Sequence, residues 1–324
     1  MSTPSNPVPE STFEAQGIAT PATAETRPMY WSVRREIWEN RSIYIAPLAI
    51  AAVYLVGYWI SLIGLPHNMR EYASLDSMHK HVMLAMPYTH AAMLLALIAF
   101  LVGAFYSLDA LHGERRDRSI LFWKSLPVSD RTTVLSKAMI PLVVLPVLTF
   151  VLIVVLQMIM LLLSTVVLLM TGGNAAALWT GLPWFQMELV LLYSLTVIAL
   201  WHAPVYTWLL LISGWARRAT FLWAVLPPLM ITIFQSVVFH IIEKIGFHDS
   251  HVGSLMGPER LFGWVGAAFD DKMPDGSTVD MHFVPLTQIA PGKFLSSPGL
   301  WVGLAFAVGF LALAVRLRRD REPM

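Results

Sequence analysis

Six stretches of this chain are too apolar and too long to belong to a soluble core. They run over about residues 43–65, 82–111, 138–170, 187–213, 219–243 and 298–317. Each meets or exceeds the roughly 20 apolar residues needed to cross a hydrocarbon layer about 30 Å thick. In that layer a backbone must satisfy its own hydrogen bonds, which a helix does within one segment. The expected fold class is therefore an all-α integral membrane protein with six transmembrane helices. Composition agrees: 56% of residues are hydrophobic and 13% charged, against roughly 25% charged in a soluble domain.

The distribution of basic residues sets an orientation. Arg27, Arg34, Arg35 and Arg41 precede the first span; Arg115, Arg116, Arg118, Lys124, Arg131 and Lys137 lie between the second and third. Arg217 and Arg218 lie between the fourth and fifth, and Arg316, Arg318, Arg319 and Arg321 close the chain. These are sixteen of the 22 lysines and arginines. Because positive charge is retained on the cytoplasmic side, both termini are expected there.

Residues 1–27 are polar and rich in Pro, Ser, Thr and Ala, without an apolar core. They read as a disordered cytoplasmic tail ahead of one membrane domain, residues 28–324. The segment 28–41, PMYWSVRREIWENR, places Tyr30, Val33, Ile37 and Trp38 at helical spacing, and its Trp and Arg content suits an N-terminal interfacial helix. About residues 244–297 form an external segment, rich in turn-forming residues and acidic between Asp270 and Asp280.

The second and third spans are longer than a membrane requires, about 45 and 50 Å at 1.5 Å per residue. Tilt absorbs part of the excess, or the helices project and carry the loop between them on a stalk. Pro141 and Pro146 are candidate kinks in the third span, and Pro227-Pro228 in the fifth. Within the spans lie His90, Gln157, His202 and Gln235, whose usual role is an interhelical hydrogen bond; Asp109 and Glu188 near span ends read as interface anchors. Gly299 and Gly303 have the spacing that lets two helices approach closely.

The loop from Gly113 to Lys137 sets an apolar island, Ile120 to Trp123, between charged flanks, followed by Leu126-Pro127. Exposed apolar clusters rimmed by charge mark docking surfaces. A short helix carrying Leu121, Phe122, Trp123 and Leu126 is able to enter a groove on a soluble partner, at about 1.5–3 kcal/mol for each large side chain buried. The alternative is an amphipathic segment lying on lipid. Pro127 ends such a helix, and Ser129 or Asp130 is placed to cap the next.

Several chemistries are excluded or disfavoured. The chain has no cysteine, so it has no disulfide, thiolate metal site or Cys nucleophile. It has no G-x-x-x-x-G-K-[ST] phosphate loop and so no ATP site of that kind. It also lacks H-E-x-x-H, G-x-S-x-G and a pair of intramembrane acids, which weighs against an intramembrane enzyme. His240, Glu243, His248, Asp249 and His251 read as a polar rim rather than a metal site. A net charge of +1 offers no nucleic-acid footprint. Besides transport, a sensor or assembly subunit using the same docking loop remains an alternative.

The loop also carries a family resemblance. Glu114-Arg115, Ser119, Leu121-Phe122 and Ser125-Leu126-Pro127-Val128-Ser129, with Lys137 opening the third span, resemble the coupling loop of type 2 ABC transporter permeases. The wider layout is similar too: an interfacial helix, six spans, and a longer external segment between spans five and six. The resemblance implies an exporter permease with a cytoplasmic coupling helix between spans two and three. Its partner-coupling residues would be Glu114, Arg115, Arg116, Ser119, Leu121, Phe122, Trp123, Ser125, Leu126 and Pro127. It further implies a separate cytoplasmic ATPase that binds ATP and Mg, with no cofactor, metal or catalytic residue in this chain. A second permease copy or paralogue would complete the pathway within the lipid of a bacterial inner membrane.

Overall fold

The computed structural model describes residues 27–65, 67, 77–117, 128–244 and 289–320. Their regular structure is helical. Helix α1 is Pro28–Glu39 and α2 is Ser42–Ser61, extended by a 3₁₀ turn Leu62–Gly64. Then follow α3 (Ser77–Asp109), α4 (His112–Arg116) and α5 (Asp130–Met139). A π-helical turn, Ile140–Val144, joins α5 to α6 (Leu145–Met170). The short α7 (Ala175–Gly181) leads into α8 (Trp184–Trp215) and α9 (Thr220–Lys244), and α10 (Pro291–Ser296) precedes α11 (Pro298–Asp320).

Five helical units are long and apolar enough to cross a membrane: Ser42–Gly64, Met83–Arg116, Asp130–Met170, Trp184–Trp215 and Pro298–Asp320. This is the architecture of a multi-pass membrane protein. Helix α9 occupies the position expected for another span, and its apolar stretch among the described residues is Thr220–Ile231. Pro227 and Pro228 lie inside that continuous helix. The third unit runs 41 residues, so the excess length read from the sequence is helix throughout.

Two ends of the bundle can be told apart. At the loop end, Ile43, Tyr106, Ile140 and Leu145 form a buried cluster against which Val33 and Ile37 of α1 pack. At the far end, Leu84, Tyr88, Leu161, Leu168 and Leu178 form the largest buried apolar cluster. Many large apolar side chains point outward along the spans, Val53 and Phe105 among them, as they must where the surrounding solvent is lipid.

Pro141 sits within the π turn, so the predicted disturbance of the third span is a local widening of the helix. Proline removes one backbone donor and crowds the preceding turn, and the wider turn accommodates both. Facing it, Gly103 lets α3 approach closely: a Cβ there would stand 3.0 Å from Tyr206 Cε1 and 3.3 Å from both Leu145 Cδ1 and Pro141 Cβ. The Gly299–Gly303 pair packs within the chain. Gly303 is buried, and a Cβ on Gly299 would meet Trp201 of α8 at 3.4 Å.

Candidate functional site

The helices that frame the 113–137 loop meet in a buried cluster of charge. Glu36 of α1 is fully buried, although it lies between Val33 and Ile37 on the helix face that packs inward. An unpaired carboxylate there would be prohibitively costly. Lys137 Nζ approaches its two oxygens at 2.9 and 3.0 Å, Arg35 Nη2 reaches Oε1 at 2.6 Å, and Tyr106 Oη donates to Oε2 at 2.8 Å. Lys137 is itself buried and also pairs with Glu114 Oε1 at 3.1 Å.

Glu114 extends the cluster to the last span. Its Oε2 accepts from Arg318 Nη1, and its Oε1 lies 3.4 Å from Arg35 Nη2. Arg318 Nε donates to Asp130 Oδ1 at 3.1 Å. Three cations (Arg35, Lys137, Arg318) thus face three carboxylates (Glu36, Glu114, Asp130) across four helical units. Burial pushes the Glu36 carboxyl up, but the positive charge and hydrogen bonds of Lys137 and Arg35 outweigh it and hold the group below the ordinary glutamate range.

A second set of bonds fixes the start of the loop against α8. The backbone N–H groups of Leu111 and His112 both donate to Ser213 Oγ, at 2.9 and 2.8 Å. Arg115 Nη1 donates to the Gly214 carbonyl at 2.7 Å. At the other end of the loop Ser129, one of the two candidate caps, accepts from Thr132 N–H at 3.1 Å and opens α5.

Of the residues assigned to partner coupling, Glu114 and Arg115 are buried inside the bundle. The reason is physical: the carboxylate of Glu114 is the shared acceptor for cations from three other helical units. Arg116 is exposed and, among the described residues, pairs with its neighbour Asp117 at 3.1 Å. Ser119, Leu121, Phe122, Trp123, Ser125, Leu126 and Pro127, and Arg118 with them, lie outside the described residues.

On α1 the outward stripe is Trp31, Arg34 and Trp38, with the Arg34 guanidinium 5.3 and 4.5 Å from the two indole rings. Of the four residues read at helical spacing, Tyr30 and Trp38 are exposed, while Val33 and Ile37 pack inward. Among the span residues, Gln157 Nε2 donates to the Tyr88 carbonyl at 3.1 Å, the interhelical bond expected of it. His202 bonds within its own helix, its Nδ1 2.9 Å from the Ile198 carbonyl. Among the described residues no group of three or more His, Asp and Glu is placed to hold a metal ion. No family model, curated protein or solved structure matches the chain.

Proposed function

We propose that this chain is the membrane-spanning subunit of an ATP-driven exporter of the type 2 ABC class. In this reading six spans cross the membrane, both termini are cytoplasmic, and two permease chains form the pathway. The 113–137 loop docks on a separate ATPase, which binds ATP and Mg. The observation that supports it is the charge cluster: Glu114 at one end of the loop and Asp130 and Lys137 at the other join one network with α1 and α11. Force applied to the loop is therefore transmitted to four helices at once, which is what a coupling element requires.

In this division of labour Glu114 and Arg115 position the loop from within. Leu121, Phe122, Trp123 and Leu126 form the apolar wedge that enters the partner, and Arg116 steers association. The π turn beginning three residues after Lys137 is a natural place for the third span to change its helical phase.

The test is co-purification from native membranes, followed by ATP turnover of the isolated complex. Phe122→Asp should strip the ATP-hydrolysing chain while leaving the variant inserted. Full ATP turnover retained by this variant would contradict the docking assignment. A complex that hydrolyses ATP but moves no cargo in vesicles would favour a sensor over a transporter.

A further inference from the structure

At the far end of the bundle, away from the charge cluster, α2, α3, α6 and α7 enclose a cavity of about 540 Å³. That volume falls within the roughly 300–1,000 Å³ typical of small-molecule sites. Its polar lining is a knot of hydroxyls. Tyr58 Oη and Ser164 Oγ are 2.6 Å apart, and Ser164 also donates to the Met160 carbonyl at 2.9 Å, so Tyr58 is the donor in that pair. Tyr88 also lines the cavity; it is 2% exposed, and its ring centroid lies 6.4 Å from that of Tyr58. Among the described residues its Oη makes no well-formed hydrogen bond, although the hydroxyls of Tyr58 and Ser164 lie close enough to act on it. A buried donor left unpaired is costly, and in a hydrocarbon layer no bulk water relieves it.

Two further hydroxyls line it: Tyr54 donates to the Pro87 carbonyl, and Ser61 to the Tyr58 carbonyl. Leu62, Leu65 and Met86 are among the apolar walls, and no Asp, Glu, Lys or Arg lines the cavity among the described residues. His90 lies at its exposed rim. Gly57 also lines it, and a Cβ there would meet nothing within 4 Å, so the wall beside Gly57 is open.

We infer that this cavity binds a neutral amphiphile from the leaflet opposite the loop, an acyl lipid whose uncharged ester or hydroxyl head accepts the Tyr88 O–H while its chain lies along Leu62, Leu65 and Met86. A phosphate or ammonium head is disfavoured, because no opposite charge from Asp, Glu, Lys or Arg awaits it. Tyr88 and the Tyr58–Ser164 pair read the head, and the gap beside Gly57 admits the molecule sideways from the bilayer. This concerns binding alone and goes beyond the reading of the loop.

The test uses the purified full-length chain in nanodiscs with three diazirine probes: a diacylglycerol, the matched phosphatidic acid and a plain alkane. Cross-linked peptides are mapped by mass spectrometry. Diacylglycerol should label the 83–90 segment best. Gly57→Trp, which fills the open side, should abolish that labelling, whereas Gly57→Ala should retain it. Tyr88→Phe should lower the preference for diacylglycerol over alkane about five- to tenfold, the worth of one hydrogen bond. Equal labelling by the alkane, or stronger labelling by phosphatidic acid, would overturn the proposal. So would labelling undiminished in Gly57→Trp. If Gly57→Trp fails to fold, the probe comparison and Tyr88→Phe decide the question on their own.

Discussion

Lys137 Nζ lies 2.9 and 3.0 Å from the two carboxylate oxygens of Glu36, a residue 101 positions earlier, with both side chains almost wholly buried. The pair joins α1 to α5, the start of the third long apolar helical unit. Removing one partner of a buried ion pair typically costs about 3–5 kcal/mol, because the other charge is left uncompensated. Lys137→Met and Glu36→Gln should each lower the thermal midpoint of the detergent-purified chain by several degrees. The double variant should be less destabilised than the sum of the two. Strict additivity in that double-mutant cycle would show that the pair is not coupled.

The same contact sets a pH dependence. Glu36 titrates below its ordinary value in the folded chain. Its contribution is therefore complete above the unfolded glutamate value, about 4.3, and is lost as pH falls through the lower folded value. The thermal midpoint should fall on acidification below about pH 4.3, and more shallowly in Glu36→Gln. An identical acid limb in the variant would remove Glu36 from the account.

Arg115 and Arg116 are adjacent, yet they should behave differently. Arg115 is buried on the Gly214 carbonyl, and Arg116 is exposed beside Asp117. Arg115→Glu should destabilise the chain itself, by about 2–5 kcal/mol, through a buried unpaired charge. Arg116→Glu should leave the thermal midpoint at the wild-type value and change only the rate and salt dependence of partner association. Equal loss of folded protein in both would refute this division.

How far the sequence foretells these features depends on their range. Although the third of them begins at Asp130, eight residues before the apolar run read from 138, the five long apolar helices were legible from hydropathy, because lipid imposes length and apolarity on each helix separately. The Ser129 cap was legible for the same local reason. The charge cluster was not, since directly bonded partners within it are separated by as many as 204 positions. A signal was nevertheless present: Glu36 stands between Val33 and Ile37, on the face that α1 had to bury. Spacing alone did not separate Val33 and Ile37, which pack inward, from Tyr30 and Trp38, which are exposed, Trp38 beside the Arg34 guanidinium. The cavity at Tyr58, Tyr88 and Ser164 depends on how three spans pack, which spacing along one chain does not encode.

Two glycines offer a test of packing at the π turn. At Gly103 an added methyl must displace the buried ring of Tyr206 or the ring of Pro141, neither of which yields easily. Gly103→Ala should therefore be destabilising by about 1–2 kcal/mol despite the better helix propensity of alanine. At Gly57 nothing lies within 4 Å, and alanine there should be neutral or gain up to about 1 kcal/mol. Reversal of that order in thermal midpoints would contradict the close approach of α3 to the π turn.

The central claim is that ATP turnover in a partner moves this chain through the loop and its charge cluster. The chain has no cysteine, so Arg319→Cys, at an exposed site beside Arg318 on α11, gives a single spin-label position in each of two permease copies. The decisive measurement is the distance between these labels in the complex purified from native membranes, with ADP and with ATP plus vanadate. The account predicts a nucleotide-dependent shift of several ångströms that vanishes in Phe122→Asp, where the partner is lost. It should also collapse in Lys137→Met while ATP hydrolysis continues. A distance that does not respond to nucleotide in the wild type, or a shift that survives in Phe122→Asp, would contradict it.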